Sequence, residues 1–489
     1  MQPVYRGGLI ICRHRILPSG DSIEEQIHHI TEGGNMTIEE LVQQQKDAFR
    51  NGVNRSIDAR RQNLTKLREI VKDHADRLCD AMKRDFGKPL VESYASEIAT
   101  VVLEIDYHLK HFESWMEPES PGESVYTFPS KSRIYRQPLG SVLIIGPWNF
   151  PVHLTFMPLI GALSAGNTVV LKPSELAPAT SAEIRSLIAS RFEPGELAVV
   201  EGDAGVTTEL LRQPFDKIFF TGSPRVGRIV MKAAARHLTP VTLELGGKSP
   251  AIVHSDAQMD VSVRRIWWGK TINAGQTCIA PDFVGVHESQ RDAFISESKK
   301  TLTDFYPDGY RPGENYTKIV NEDHFERLSF LLEDCDILLG GRTDPESRFI
   351  EPTLIAADWD DEIMEDEIFG PLLPMVTWSD ESEIIGRLTG YDPPLALYLF
   401  TRDEAFQKTV IQQIPFGGGC INDTIAHFVN PKLPFGGVGA SGMGAYHGRF
   451  SFETFSRRQS VMSKALWPDP EVRYPPHGEN KLKWLKRIF

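Results

Sequence analysis

Between Ile38 and about Trp115, apolar residues recur at spacings of three and four: Leu41 and Val42; Leu64, Leu67, Ile70 and Val71; Leu78 and Met82. This is the period of helices that bury one stripe. Thr37, ahead of I-E-E-L-V, is the expected cap of the first helix. The run Glu117-Pro-Glu-Ser-Pro-Gly-Glu breaks the pattern, and Ser124 to Pro138 then alternates in the manner of an edge ribbon. From Ser141 the pattern changes again. Short continuous apolar runs (V-L-I-I-G, T-V-V-L-K, L-A-V-V-E-G, K-I-F-F-T-G) are separated by helical stretches, the first of them apolar from about Leu154 to Ala165. Such alternation predicts a parallel sheet covered on both faces, a doubly wound, Rossmann-like α/β architecture with ligands at the carboxyl ends of its strands. It repeats with S-P-A-I-V, D-F-V-G-V, L-A-L-Y-L-F and G-G-C-I-N, so a second α/β unit is expected after the first.

At 489 residues the chain is long enough for an ample core and for two domains or one large composite. A net charge of −13 and a pI near 5.6 argue against nucleic acid as the main partner, because phosphate binding rests on clustered Lys and Arg. Five cysteines (Cys12, Cys79, Cys278, Cys335, Cys420) form no C-x-x-C pair and no disulfide framework, which implies a reducing compartment. No histidine stands at a metal-ligand or triad-like spacing within the motifs below, so no metal is expected. His427 and His447 read as structural. No apolar run approaches the roughly 20 residues of a membrane span, and the start of the chain lacks a signal peptide's apolar region. A cytoplasmic protein is expected.

The candidate chemistry lies in Asn273 to Pro281, N-A-G-Q-T-C-I-A-P. A reactive thiol needs a polar, partly open backbone setting, and Gly275, Gln276 and Thr277 place Cys278 in one, although a lone cysteine is more often a small buried hydrophobe. Upstream, L-E-L-G-G-K-S-P (Leu243 to Pro250) puts Glu244 at the end of an apolar run directly before Gly246-Gly247. A strand that stops there points a carboxylate into a cleft, and a nucleophile beside a carboxylate is a covalent-catalysis pair. Gly222, Ser223 and Gly227 lie between a strand and a helix opened by Pro224, where backbone amides can receive a phosphate. Neither the dinucleotide fingerprint nor the P-loop is present, and an ordinary turn is the plain alternative.

These two segments, together with P-W-N-F-P (Pro147 to Pro151), E-I-F-G-P (Glu367 to Pro371) and P-F-G-G-V-G-A-S-G-M-G (Pro434 to Gly444), resemble the aldehyde dehydrogenase superfamily. The blocks run in family order from roughly Met36 to near the C-terminus. The ending resembles the class 3 and fatty aldehyde dehydrogenase branch in particular.

The resemblance implies oxidation of an aldehyde to its acid through a thiohemiacetal and thioester on Cys278, with Asn149 meeting the oxyanion and Glu244 activating water. Lys172 and Glu175 match residues at the adenosine ribose, and Glu367 and Phe369 match those at the nicotinamide ribose and ring. NAD is the expected cofactor, with NADP tolerated. Medium or long aliphatic, aromatic or isoprenoid-derived aldehydes are the expected substrates. Acyl-CoA-linked reduction and an inactive structural relative are the alternatives; Glu244 argues against the first and intact motifs against the second. The implied organisation is a cofactor unit over residues 36–118 and 139–242, a catalytic unit over 243–424, and a homodimer-forming ribbon and tail from 119–138 plus about 425–489.

Two ends stand outside this frame. Met1 to Asn35 is expected to match nothing in the family and to form a disordered arm. Lys481 to Phe489, K-L-K-W-L-K-R-I-F, gathers Leu482, Trp484, Leu485, Ile488 and Phe489 on one side of a helix against mainly basic residues on the other. It suits either packing on its own subunit or a neighbour, or peripheral contact with an anionic membrane surface.

Overall fold

The computed structural model describes residues 36–488, so the expectation for the first 35 lies outside the described residues. The first helix, Ile38–Arg50, begins at a capping box in which Glu40 N donates to Thr37 Oγ1 (3.2 Å) and Thr37 N donates to the Glu40 carboxylate (2.8 Å). Helices Ile57–Asp73, Ala75–Phe86 and Thr100–Met116 bury the apolar stripes read from the sequence. The first and third of these pack on the helix His153–Ala165, of which every residue is buried.

Two sheets follow. The first has six strands in the spatial order Gly442–Met443, Val241–Glu244, Lys217–Thr221, Ser141–Ile145, Thr168–Lys172 and Leu197–Val199, parallel except for the short first one. The second has seven: Gly418–Ile421, Ala396–Phe400, Pro250–Val253, Phe283–His287, Leu372–Trp378, Thr353–Ala356 and Asp336–Leu339, the last antiparallel to its neighbour. The α/β expectation holds, and both sheets are Val-, Ile- and Leu-rich inside because helices cover them.

Three features depart from the sequence reading. The strands after Gly285 were not all visible, because Leu372–Trp378 contains Pro374, which reads as a break. Pro374 is tolerated because it pairs only towards Ile355, while pairing with the strand on the other side begins at Met375. The ribbon strand starts at Ser130 rather than Ser124, since Glu123 accepts from Ser132 N (2.7 Å) and Ser130 Oγ (3.1 Å) and folds 124–129 into a turn. It pairs antiparallel with Ser456–Lys464, from Pro138 opposite Ser456 to Ser130 opposite Lys464. Finally, the region expected to be only ribbon and tail first returns to the opening sheet. Gly442 pairs with Glu244, and the helix Gly448–Thr454 packs on His153–Ala165.

The tail is helical over Glu479–Ile488, and Leu482 and Trp484 on its apolar side remain 52% and 48% exposed. Among the described residues, no helix is long and apolar enough to cross a membrane.

Candidate active site

Cys278 is set by an unusual turn. Asn273, Ala274 and Gly275 are all left-handed (φ 51°, 52° and 72°), which costs about 1–2 kcal/mol for each residue bearing a side chain. Neighbours hold the strained backbone in place. Glu92 accepts from Asn273 N (2.8 Å), and the buried Gln276 donates to Asn273 O (2.9 Å) and Lys318 O (3.1 Å) while accepting from Val320 N (3.0 Å). Gly275 has no alternative, because a Cβ there would stand 2.2 Å from Gly370 O. Beyond the turn, Tyr398 Oη donates to Ile279 O (2.5 Å).

The Cys278 thiol is half-buried, and its pKa is pushed well above the usual value by burial and then by Glu244 and Glu367. The amides of Cys278 and Ile279 pull the other way without prevailing. The polar turn alone therefore does not make a thiolate. Glu244 ends its strand as expected and is buried. Neither of its carboxylate oxygens meets a donor in good hydrogen-bond geometry, and burial drives its pKa well above the usual carboxylate range against the pull of the nearby Gly437 amide.

Asn149 is knitted to the cysteine turn. Its side-chain Nδ2 donates to Gln276 O (3.1 Å), and its carbonyl accepts from Asn273 Nδ2 (2.9 Å). Glu367 packs against the backbone two residues past Glu244, where a Cβ on Gly246 would lie 2.0 Å from its Oε2, and its charge acts on the Cys278 thiol. Its carboxyl is raised to about 8 by burial and by Asp282. Phe369, at φ 51°, sets its ring edge-on to Trp148 at 5.4 Å.

The remaining candidates line the carboxyl edge of the first sheet. Gly222 N donates to Glu244 O (3.0 Å), placing the Gly222-Ser223 turn at the root of the carboxylate. Ser223 caps Pro224–Ala234, and the bare Cα of Gly227 lets that helix close on Leu245, whose Cδ2 a Cβ would meet at 2.8 Å. Lys172 Nζ donates to Glu175 Oε2 (2.8 Å) and Pro173 O (3.0 Å). Lys172 is buried and Glu175 is 45% exposed. An open acid for ribose hydroxyls, a helix N-terminus for phosphate, and Glu367 with Phe369 near the thiol suit a nicotinamide dinucleotide.

Sequence reasoning passed over the groups beneath these loops. Lys248, inside L-E-L-G-G-K-S-P, donates to Asp282 Oδ2 (2.7 Å), Ile363 O (2.8 Å) and Asp366 O (2.9 Å), while Asp282 Oδ1 accepts from Ile368 N (2.9 Å). Lys270 is buried with no partner for Nζ. A charged residue in an otherwise apolar run was the available signal for Lys270. A cavity of about 930 Å³, lined by His254, His287, Trp378 and Glu381 among others, lies at the carboxyl edge of the second sheet. Cys278 precedes the strand Phe283–His287 and lies towards its other end, so that cavity holds none of the site. Among the described residues no cluster of metal ligands occurs.

The arrangement suits an oxidoreductase with a thiol beside its cofactor site, and comparison with known proteins gives the family. Residues 18–461 match the aldehyde dehydrogenase family, to which the chain belongs. It is 44% identical over 455 residues to 4,4'-diaponeurosporen-aldehyde dehydrogenase of Staphylococcus aureus, covering 92% of this chain and 99% of that one. It is 42% identical to aldehyde dehydrogenase family 3 member A2 of Rattus norvegicus, covering 92% of this chain and 93% of the other. The substrate-bound structure of Staphylococcus aureus AldH superposes with a TM-score of 0.90 at 43% identity, covering 93% of this chain and all of that one. The chain is thus an aldehyde dehydrogenase that oxidises aldehydes to acids with NAD(P). The match begins at residue 18, which corrects the expectation that nothing before Met36 resembles the family.

Proposed function

We propose that the chain oxidises medium or long aliphatic, aromatic or isoprenoid-derived aldehydes, with Cys278 as nucleophile, Asn149 as oxyanion donor and Glu244 as general base. The observation that carries this reading is the junction of Asn149 with the cysteine turn. One hydrogen of its Nδ2 is spent on Gln276 O, and the second remains for a developing oxyanion. Cys278, having given its thiol proton to water, attacks the carbonyl carbon through sulfur; the oxygen gathers charge between Asn149 Nδ2 and the Cys278 amide, and loss of hydride from that carbon re-forms the carbonyl as a thioester. Bound oxidised nicotinamide supplies the hydride acceptor. Glu244, with its raised carboxyl, takes a proton from water, which adds to the thioester; the carbon–sulfur bond breaks and the acid leaves. The substrate class draws on the relatives' names, one a carotenoid-type aldehyde dehydrogenase.

Two variants test the assignment. Cys278→Ala is expected to remove NADH formation while cofactor still binds, and Glu244→Gln to form NADH once per site and then stall as an acyl-enzyme visible by intact mass. An unchanged steady-state rate in either variant overturns its role.

The same reading assigns ribose recognition to Lys172 and Glu175, phosphate to Gly222, Ser223 and Gly227, and nicotinamide positioning to Glu367 and Phe369. NAD is preferred because Glu175 accepts ribose hydroxyls and repels a 2'-phosphate, with NADP accepted as well. The cofactor unit is then residues 36–118 and 139–242, and the catalytic unit 243–424. The ribbon, with Val461 and Met462 exposed, serves a homodimer, as the name of the relative "Aldehyde dehydrogenase, dimeric NADP-preferring" does for that protein. A one-subunit mass by light scattering at micromolar concentration removes that assignment. The tail helix lies on anionic membrane surfaces, its basic side towards headgroups and Trp484 at the boundary.

A further inference from the structure

The loop that carries Asn149 is held from behind by a buried ion pair that touches no reacting atom. Lys88 and Glu97 are both 0% exposed, with Nζ 2.5 Å from Oε1. They meet because the helix Ala75–Phe86 ends at left-handed Gly87 (φ 63°), which turns Lys88 inward, and because the π-helical turn Tyr94–Ala99 presents Glu97 to it. Lys88 Nζ also donates to Asn149 O (3.2 Å) and stands 4.0 Å from the centre of the Phe150 ring. The other oxygen of Glu97 accepts from Val152 N (2.9 Å) and His153 N (3.3 Å). The pair thus grips a carbonyl, a ring and two amides across Asn149 to His153. Burying two charges is rarely the cheapest way to stabilise a fold, since well-packed apolar residues often do as well. What an apolar pair cannot do is fix the direction of a peptide carbonyl and two amides at once.

We propose that Lys88 and Glu97 are positioning residues for aldehyde oxidation, holding the Asn149 side-chain amide against the Cys278 turn and acting on the acylation half of the reaction through Asn149. This rests on the reading of Asn149 as oxyanion donor. A displacement of about 1 Å in a positioned group can cost about 100-fold in rate. Loss of the donor itself costs about 100- to 1,000-fold.

The test is a double-mutant cycle on full-length enzyme, reading the pre-steady-state rate of NADH formation, the dissociation constant for NAD and the melting temperature. Lys88→Met is expected to lower the NADH formation rate about 100-fold while leaving the NAD dissociation constant within about twofold. Asn149→Ala lowers the same rate at least as much. In the Asn149→Ala background, Lys88→Met is expected to remove no more than about a further twofold, because its route to the chemistry is already gone. Full multiplication of the two losses, or loss of NAD affinity parallel to loss of rate, overturns the positioning role. Should Lys88→Met fail to fold, Glu97→Gln, which keeps the shape and loses the charge, runs the same cycle with an expected loss of about tenfold. An Asn149→Ala enzyme as fast as the parent removes the oxyanion reading. A slow Asn149→Ala beside an unaffected Lys88→Met removes only the positioning role.

Discussion

Lys88 and Lys248 each secure a loop beside the Cys278 turn or Glu367 by the same construction. A buried ammonium grips one loop carbonyl at Lys88 and two at Lys248, and the second oxygen of the partner carboxylate accepts from two amides at Glu97 and from one at Asp282. Their surroundings differ. Around Lys88 the pair is closed on itself and on the Asn149 loop. Around Lys248 polar capacity is left over: Lys270 has no partner and is lowered to about 8 by burial, and Glu367 is raised to about 8 by burial and Asp282. Near Lys88 the raised carboxyl of Glu92 is spent on Asn273 N, while near Lys248 the Lys270 ammonium keeps no hydrogen-bond partner. Fixed donors beside the first suit a transition state, and adjustable ones beside the second suit a charged ligand that must arrive and leave.

The largest expected effect concerns Cys278 itself. Burial and two acids hold the thiol protonated, and only thiolate reacts with alkylating agents. Inactivation of cofactor-free enzyme by iodoacetamide should therefore climb about tenfold per pH unit, still rising as it passes 9.0, the ordinary value of the thiol. A plateau near neutrality shows instead that the turn stabilises thiolate. Next, Lys248→Met should raise the KM for NAD about tenfold and lower the melting temperature, because a buried acid loses its partner. Its rate of NADH formation at saturating NAD should stay near that of the parent, the reverse of Lys88→Met. Equal effects of the two variants on rate erase the distinction between the two lysines.

Smaller effects belong to the rim. Glu175→Gln should narrow the NAD to NADP ratio in kcat/KM severalfold, by reducing repulsion of the 2'-phosphate; an unmoved ratio places ribose reading elsewhere. Ending the chain at Asn480 should leave kcat unchanged and reduce salt-sensitive sedimentation with anionic vesicles. Equal pelleting of both chains rules out the tail as a membrane contact.

Much of this was legible along the chain. Continuous apolar runs gave away both sheets, and glycines where backbones nearly touch, such as Gly275 against Gly370 O, marked the loops of the cleft. The carboxylate was readable because Glu244 ends an apolar strand. What stayed hidden depends on partners far away in sequence. Pro374 disguised a core strand, since its tolerance depends on which neighbour it faces. Lys88 and Glu97 look like any surface pair until the fold encloses them. The upward pull on the Cys278 thiol was not legible from its own turn, because burial leads it and the acids that add to it come from residues 244 and 367.

One pairing has a consequence for how the protein comes into being. The strand ending in Glu244 is flanked by Gly442–Met443, and Leu245 N is held by Ser441 O (3.0 Å). About 200 residues separate these partners, so during synthesis Glu244 and Cys278 are both made long before the segment that pairs with the Glu244 strand. Until Gly442–Met443 pairs, the strand that ends in Glu244 has one edge open.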